Sequence, residues 1–239
     1  MNKKELVVKY RSLVSLACRV HNLRNLFRRQ IRGKGNRVEA PCALLKKVDI
    51  RITGNNNRVI IEDFCTLQNS SLYIRGNNCT IFVGKWSTLI QADLCASDDN
   101  SQIRIGQKSR ILGKTHMAAI EGTSITIGED CLFSSDIQFR TGDSHSVLDL
   151  QGCRINPSQD IVLGDHVWVG TRAFVNKGAK VASHSIIGAC ALVTKAFAES
   201  HCALAGVPAK IVKHNVDWSI HRVPVGEAAP DFILPVTEE

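Results

Sequence analysis

Leu163-Gly164-Asp165-His166-Val167-Trp168, Val169-Gly170-Thr171-Arg172-Ala173-Phe174 and Val175-Asn176-Lys177-Gly178-Ala179-Lys180 are consecutive hexads of one pattern, and three more open at Val181, Ile187 and Val193. All six openers are aliphatic, and the fifth places (Val167, Ala173, Ala179, Ser185, Ala191, Phe197) are mostly small. A helix repeats every 3.6 residues and a strand every 2, so neither sets apolar residues at a strict period of six. A short strand that turns a corner every six residues does, because each opener then points into the middle of a prism. The pattern predicts a solenoid of parallel β coils, three hexads to a turn. Stacked coils bury one another's apolar faces without any need for chemistry, so function must come from what interrupts or decorates the repeat.

Upstream, hexads open at Ile127, Phe133 and Phe139, with Cys131 and Ile137 at fifth places. The pattern then stops between Arg140 and Asp160, where His145, Gln151 and Pro157 stand at places that should be aliphatic. A long excursion from one corner of a compact fold is usually functional. Further upstream, Ile52, Ile74, Ala96 and Ala118 recur every 22 residues, as do Ile61, Val83, Ile105 and Ile127. Gly54-Asn55-Asn56-Asn57 and Gly76-Asn77-Asn78 keep the same interval and suit left-handed corner turns. These are read as coils of the same solenoid with longer corners.

Residues 3–32 read as one amphipathic helix, unbroken or interrupted, with Leu6, Tyr10, Leu13, Ala17, Val20, Leu23, Phe27 and Ile31 at three- and four-residue steps. Gly33-Lys34-Gly35-Asn36 is expected to end it. Such a helix either caps the open end of the solenoid, the reading favoured here, or lies on an anionic membrane or polymer. The expected organisation is a basic helical cap over 1–36, the solenoid over 37–213 with its loop at 140–160, and a C-terminal tail over 214–239.

The chain has 239 residues, 44% hydrophobic and 22% charged, which suits one globular domain. Aromatics are only 5%, in keeping with a narrow prism. No apolar run is long enough to span a bilayer and no signal-peptide pattern is present, so a cytoplasmic location is expected, either free or at the inner face of a membrane. The nine scattered cysteines contain no CxxC pair and indicate neither a disulfide framework nor a zinc site. Net charge is +8, and residues 1–37 hold eleven Lys or Arg against one Glu, while the chain ends in Thr237-Glu238-Glu239. That balance favours anionic partners or membrane surfaces.

Thr141-Gly142-Asp143-Ser144-His145 opens the interruption, and Trp168 closes the first hexad after it. Histidine titrates near neutral pH and suits general-base work, and a neighbouring Asp can hold its tautomer. Together with the 141–145 loop, the segments Ile161–Gly170, Ile186-Ile187-Gly188-Ala189, Val193-Thr194-Lys195 and Ala205-Gly206-Val207-Pro208-Ala209-Lys210 carry a resemblance. From about Ile127 to Lys213 the chain resembles the hexapeptide-repeat acetyltransferases, in particular the sugar O-acetyltransferases of the galactoside and maltose type and their capsule-polysaccharide relatives.

The resemblance implies a left-handed parallel β-helix, homotrimers with the active site between subunits, and acetyl-CoA as co-substrate with no metal. It makes His145 the base that deprotonates an acceptor hydroxyl, Trp168 a positioning and oxyanion-stabilising group, and Asp143 the orienting carboxylate. It assigns Thr171, Ala189, Thr194, Lys195, Lys210 and Lys213 to CoA. Lys177-Gly178 stands where many relatives have Pro-Gly, and Arg172, Lys177, Lys180 and His184 make this region basic, pointing to an anionic glycan acceptor. His116 reads as a corner residue, more readily a satisfied or solvated histidine than a contact for the acceptor. The leading expectation is an O-acetyltransferase of a capsular or lipopolysaccharide glycan or its precursor, without a nucleic-acid partner. N-acetylation of a nucleotide-linked amino sugar and a non-enzymatic β-helix scaffold are the alternatives. A zinc-dependent carbonic anhydrase would need His145, His166 and His184 to converge, which the pattern does not supply.

Overall fold

The computed structural model describes residues 3–230; the acidic C-terminal residues lie outside them. The chain winds into a three-faced prism of stacked coils. The first face holds eight strands, from Arg29–Arg32 through Ile137–Arg140, Phe174–Asn176 and Leu192–Val193. The second also holds eight, from Arg37–Glu39 through Ile161–Leu163 and Lys180–Val181 to Ala196–Phe197. The third holds nine, including Leu132–Phe133, Trp168–Val169, Ile186–Ile187 and Ala203–Ala205. Every pairing within the prism is parallel except the last, where Lys210–Lys213 turns back antiparallel on Ala203–Ala205 and closes that end.

All openers and fifth places of the six hexads are buried, Ser185 among them. The pairings of Leu163 with Val181, Val169 with Ile187 and Val175 with Val193 stack successive coils in the expected phase. Val181, however, pairs with Phe197 and not with the place six residues after Val193, because the corner after Val193 is two residues shorter than the one after Val175. Phe133 and Phe139, on adjacent faces of one coil, stack their rings inside the prism with centroids 5.4 Å apart. The narrow interior leaves room for few such rings.

The 22-residue coils pair as expected from Ile52 to Ile74 and from Ile74 to Ala96. At the next step the inward residue is Ala119, not Ala118, because Ala96 pairs with Ala119 and Cys95 with Ala118. Leu112-Gly113-Lys114 holds one extra residue, since Ile111 still pairs with Leu89 whereas Thr115 pairs with Ala92. The following corner is one shorter, so Ser124 pairs again with Gln102 at the old interval.

The Gly-Asn corners persist for a reason beyond their left-handed residues. The Asn36 Nδ2 donates to the Gly54 carbonyl at 2.8 Å, and its Oδ1 accepts from the Asn57 N–H at 3.0 Å. Asn57, fully buried, repeats both bonds with the Gly76 carbonyl and the Cys79 N–H. Each amide thus satisfies one donor and one acceptor that the corner removes from the sheet ladder.

The N-terminal segment departs from the expected helix. It forms helices Lys3–Lys9 and Arg11–Asn22 and a 3-10 turn Leu23–Arg28, and Arg29–Arg32 is already the first strand. Gly33-Lys34-Gly35-Asn36 is therefore the first corner of the solenoid, and its stacking on Gly54-Asn55-Asn56 explains its composition. The segment docks through amides: Asn22 bonds the Ala43 carbonyl and the Leu45 N–H, and Asn25 bonds both backbone groups of Val48. These amides satisfy a coil edge that has no further strand above it. No helix of the described residues is long and apolar enough to cross a membrane. All nine cysteines are free, and burial pushes the Cys131 thiol up to about 12.

Candidate active site

The interruption leaves the prism between the first and second faces, after Ile137–Arg140, and returns at Ile161–Leu163. It is held at that corner from both sides. In the coil before it, Glu121 receives two bonds from the Arg154 guanidinium, at 2.6 and 3.0 Å, and one from the Ser158 hydroxyl at 2.7 Å. The Arg154 cation, with Ser158, draws the Glu121 carboxyl down to about 2. In the coil after it, the Lys177 Nζ donates to Asp143 at 2.5 Å.

Asn156 is the internal hub of the loop and is nearly buried. Its Nδ2 donates to Asp143 and to the His145 carbonyl, both at 2.8 Å, and its Oδ1 accepts from the Val147 N–H at 2.8 Å. The backbone at His145 is therefore fixed, whereas its imidazole is exposed and has no hydrogen-bond partner among the described residues. Asp143 engages Lys177 and Asn156, not the His145 ring, and Lys177 first and Asn156 second hold its carboxyl below the usual range. In a single chain Asp143 thus anchors the loop to the next coil, and the expected contact with the imidazole is not made.

The remaining candidates fall into separate groups. Thr194 and Lys195 lie at the same corner as the loop, between Leu192–Val193 and Ala196–Phe197, and both are exposed. Trp168 projects outward from the third face, 37% exposed. Thr171 and Ala189 follow it at the corner between the third and first faces, one coil apart, where the Cys190 N–H donates to the Thr171 carbonyl at 2.9 Å. Gly170 allows this close stacking, since a Cβ there would sit 2.6 Å from the Ala189 nitrogen. Lys210 and Lys213 bound the antiparallel edge strand of the third face.

In a three-faced prism the corner between two faces lies opposite the third. His145 and Trp168 therefore stand on opposite sides of one chain, and a site that uses both needs two chains. His145 is likewise at a different corner from His166 and His184, which lie between the second and third faces. The three histidines named for a carbonic anhydrase do not converge within the chain. His116 is not a corner residue: it stands mid-strand on the first face, its Nδ1 2.8 Å from Asp93. Glu121, Arg154 and Asn156 escape sequence reading because an irregular loop has no period from which partners can be inferred.

No family model matches the chain. Over 91 residues, 38% of its length, it is 36% identical to a polysialic acid O-acetyltransferase of Escherichia coli O1:K1 / APEC and 31% identical to one of Neisseria meningitidis. The matched stretches span 29% and 42% of those proteins. Among solved structures, the polysialic-acid-specific acetyltransferase NeuO aligns with a TM-score of 0.74 and 32% identity, over 84% of this chain and 91% of that one. The polysialic acid O-acetyltransferase OatWY aligns with a TM-score of 0.75 and 28% identity, over 83% of this chain and 94% of that one. The chain thus belongs to the left-handed β-helix, hexapeptide-repeat acetyltransferases, the family that holds the polysialic acid O-acetyltransferases.

Proposed function

We propose that this protein is an acetyl-CoA-dependent O-acetyltransferase that modifies a hydroxyl of an anionic capsular polysaccharide, polysialic acid being the first candidate. The observation that carries the reading is an exposed His145 on a rigidly anchored loop, in a chain similar along most of its length to polysialic-acid-specific enzymes. In this mechanism the His145 imidazole accepts the proton of the acceptor hydroxyl. The oxygen attacks the thioester carbonyl of acetyl-CoA and forms a tetrahedral oxyanion, which the indole N–H of Trp168 from a neighbouring chain stabilises. Collapse breaks the carbon–sulfur bond, and the imidazolium returns its proton to the CoA thiolate.

A cyclic homotrimer supplies the two halves of each site, His145, Thr194 and Lys195 from one chain facing Trp168, Thr171 and Ala189 of the next. Lys195, Lys210 and Lys213 are exposed cations suited to the CoA phosphates. Asp143, held by Lys177, serves as a positioning residue for the loop.

The N-terminal segment suits an anionic membrane surface. Its docking to the solenoid uses Asn22, Asn25 and the Arg11–Asp63 ion pair, which leaves Leu13, Leu16, Val20, Leu23 and Phe27 facing outward, Phe27 at 94% exposure. Arginines and lysines flank this apolar stripe, as in helices that lie in a lipid interface. Three such basic rims would repel one another if the stripe joined copies of the chain.

The deciding test is CoA release from acetyl-CoA with polysialic acid, neutral glycans and amino sugars as acceptors, for wild type and His145→Ala. Turnover on polysialic acid that falls at least about 100-fold in the variant supports the reading. Turnover confined to amines would move the assignment to N-acetylation, and failure to bind acetyl-CoA would leave only a scaffold.

A further inference from the structure

The corner between the second and third faces carries a histidine in each of its last three coils. His166, His184 and His201 all precede an inward-facing residue (Val167, Ser185, Cys202), and all are left-handed, with φ of 53°, 58° and 54°. Because the coils are in register, the rings form a ladder, with centroids 5.1 Å apart from His166 to His184 and 4.7 Å from His184 to His201. The segment after the last strand brings Asp217 against all three. Its carboxylate lies 3.6 Å from the His166 Nε2, 2.9 Å from the His184 Nδ1 and 3.5 Å from the His201 Nδ1, and its side chain is 10% exposed. Trp218 stacks on His166 at 4.2 Å and its indole N–H donates to the His166 carbonyl at 2.8 Å.

His166 has an acceptor at each nitrogen. Its Nδ1 faces Asp130 at 3.0 Å, and its Nε2 faces the Trp218 carbonyl at 3.0 Å as well as Asp217. A neutral imidazole has one N–H and cannot satisfy both sides. Either a second proton or a cation at Nε2 resolves the conflict. With Asp130 taking the Nδ1 proton, the arrangement is that of a carboxylate-oriented metal-binding histidine.

We propose that His166, His184 and Asp217 form a zinc-type transition-metal site, a feature the sequence pattern does not announce. Their ligand atoms already lie within 4.8 Å of one another. A tetrahedral ion with bonds of about 2.0–2.2 Å draws such atoms to roughly 3.4 Å apart, a contraction that side-chain rotation supplies. Two imidazoles and a carboxylate favour zinc over magnesium or calcium, which prefer all-oxygen sets. The His201 Nδ1, 3.5 Å from Asp217, lies outside that set, which leaves the fourth position of the ion to water. The bound ion ties the C-terminal segment to two coils of the solenoid and holds Trp218 beside Trp168, whose ring centroid is 6.5 Å away.

The test is zinc binding by the full-length protein, measured against a chromophoric chelator, with cobalt as a spectroscopic substitute. One equivalent per chain and a tetrahedral cobalt spectrum without a thiolate band are expected. His184→Ala or Asp217→Asn should remove that equivalent. Asp130→Asn, which touches no ligand atom, should weaken it about 10- to 100-fold, whereas Cys190→Ser should leave it intact. Absence of stoichiometric binding to the wild type overturns the proposal. So does binding that survives both ligand variants, or a thiolate band lost in Cys190→Ser.

Discussion

Pairing two inactive variants tests the division of the site between chains. His145→Ala removes the proposed base, with an expected loss of about 10²–10⁴ in turnover. Trp168→Ala removes the proposed oxyanion donor, at an expected cost of about 10²–10³. Since the His145 corner lies opposite the Trp168 face, each site of the proposed cyclic trimer would take its histidine from one chain and its tryptophan from the neighbour. A trimer with two chains of one variant and one of the other then contains a single junction that joins an intact histidine to an intact tryptophan. Mixed trimers should recover about one third of wild-type activity, and an unselected equal mixture about one quarter. The assay is co-expression with two affinity tags, tandem purification and CoA release on the acceptor that the wild type uses. If both groups acted within one chain, no mixed trimer would contain an intact site. Activity that stays at the single-variant level in verified mixed trimers would refute the geometric reasoning, as would a fully active monomer.

Three further outcomes follow from particular contacts. Asn57→Ala strands the part-buried Gly76 carbonyl and the buried Cys79 N–H and should cost about 1–3 kcal/mol for the buried N–H; a urea midpoint equal to wild type would contradict this. Glu121 has its folded pKa lowered to about 2, so its hold on Arg154 is complete above the ordinary carboxylate range and is lost as pH falls toward that value. Hydrogen exchange in residues 142–160 should accelerate across that acid window, and Glu121→Gln should show the faster exchange already at neutral pH. Finally, Leu13→Ser with Leu16→Ser should abolish co-sedimentation with anionic vesicles while leaving turnover on a soluble acceptor unchanged; equal sedimentation of variant and wild type would remove the membrane reading.

The hexads from Leu163 and the 22-residue Gly-Asn corners were readable without coordinates because a stacked coil repeats its constraint at a constant interval. Each inward place must be apolar and each corner must replace lost ladder bonds, so the chain writes its own period. The inward place falls on Ala119 where the period points to Ala118, because a single-residue insertion at one corner, undone at the next, leaves the overall period intact. The helix boundary at Arg28 was obscured because Phe27 and Ile31 continue a helical spacing while Arg29–Arg32 already pairs with the next coil.

The sequence by itself determined the solenoid, the place where it is interrupted and the candidate base within the interruption. Those follow from local spacing. Only the tertiary structure decided that Asp143 engages Lys177 and Asn156, that His145 and Trp168 stand on opposite sides of the prism, and that Asp217 meets a histidine ladder. Each of these depends on which corner a residue occupies and what another coil or a returning segment places against it. Such neighbours lie tens of residues away along the chain, where no period connects them.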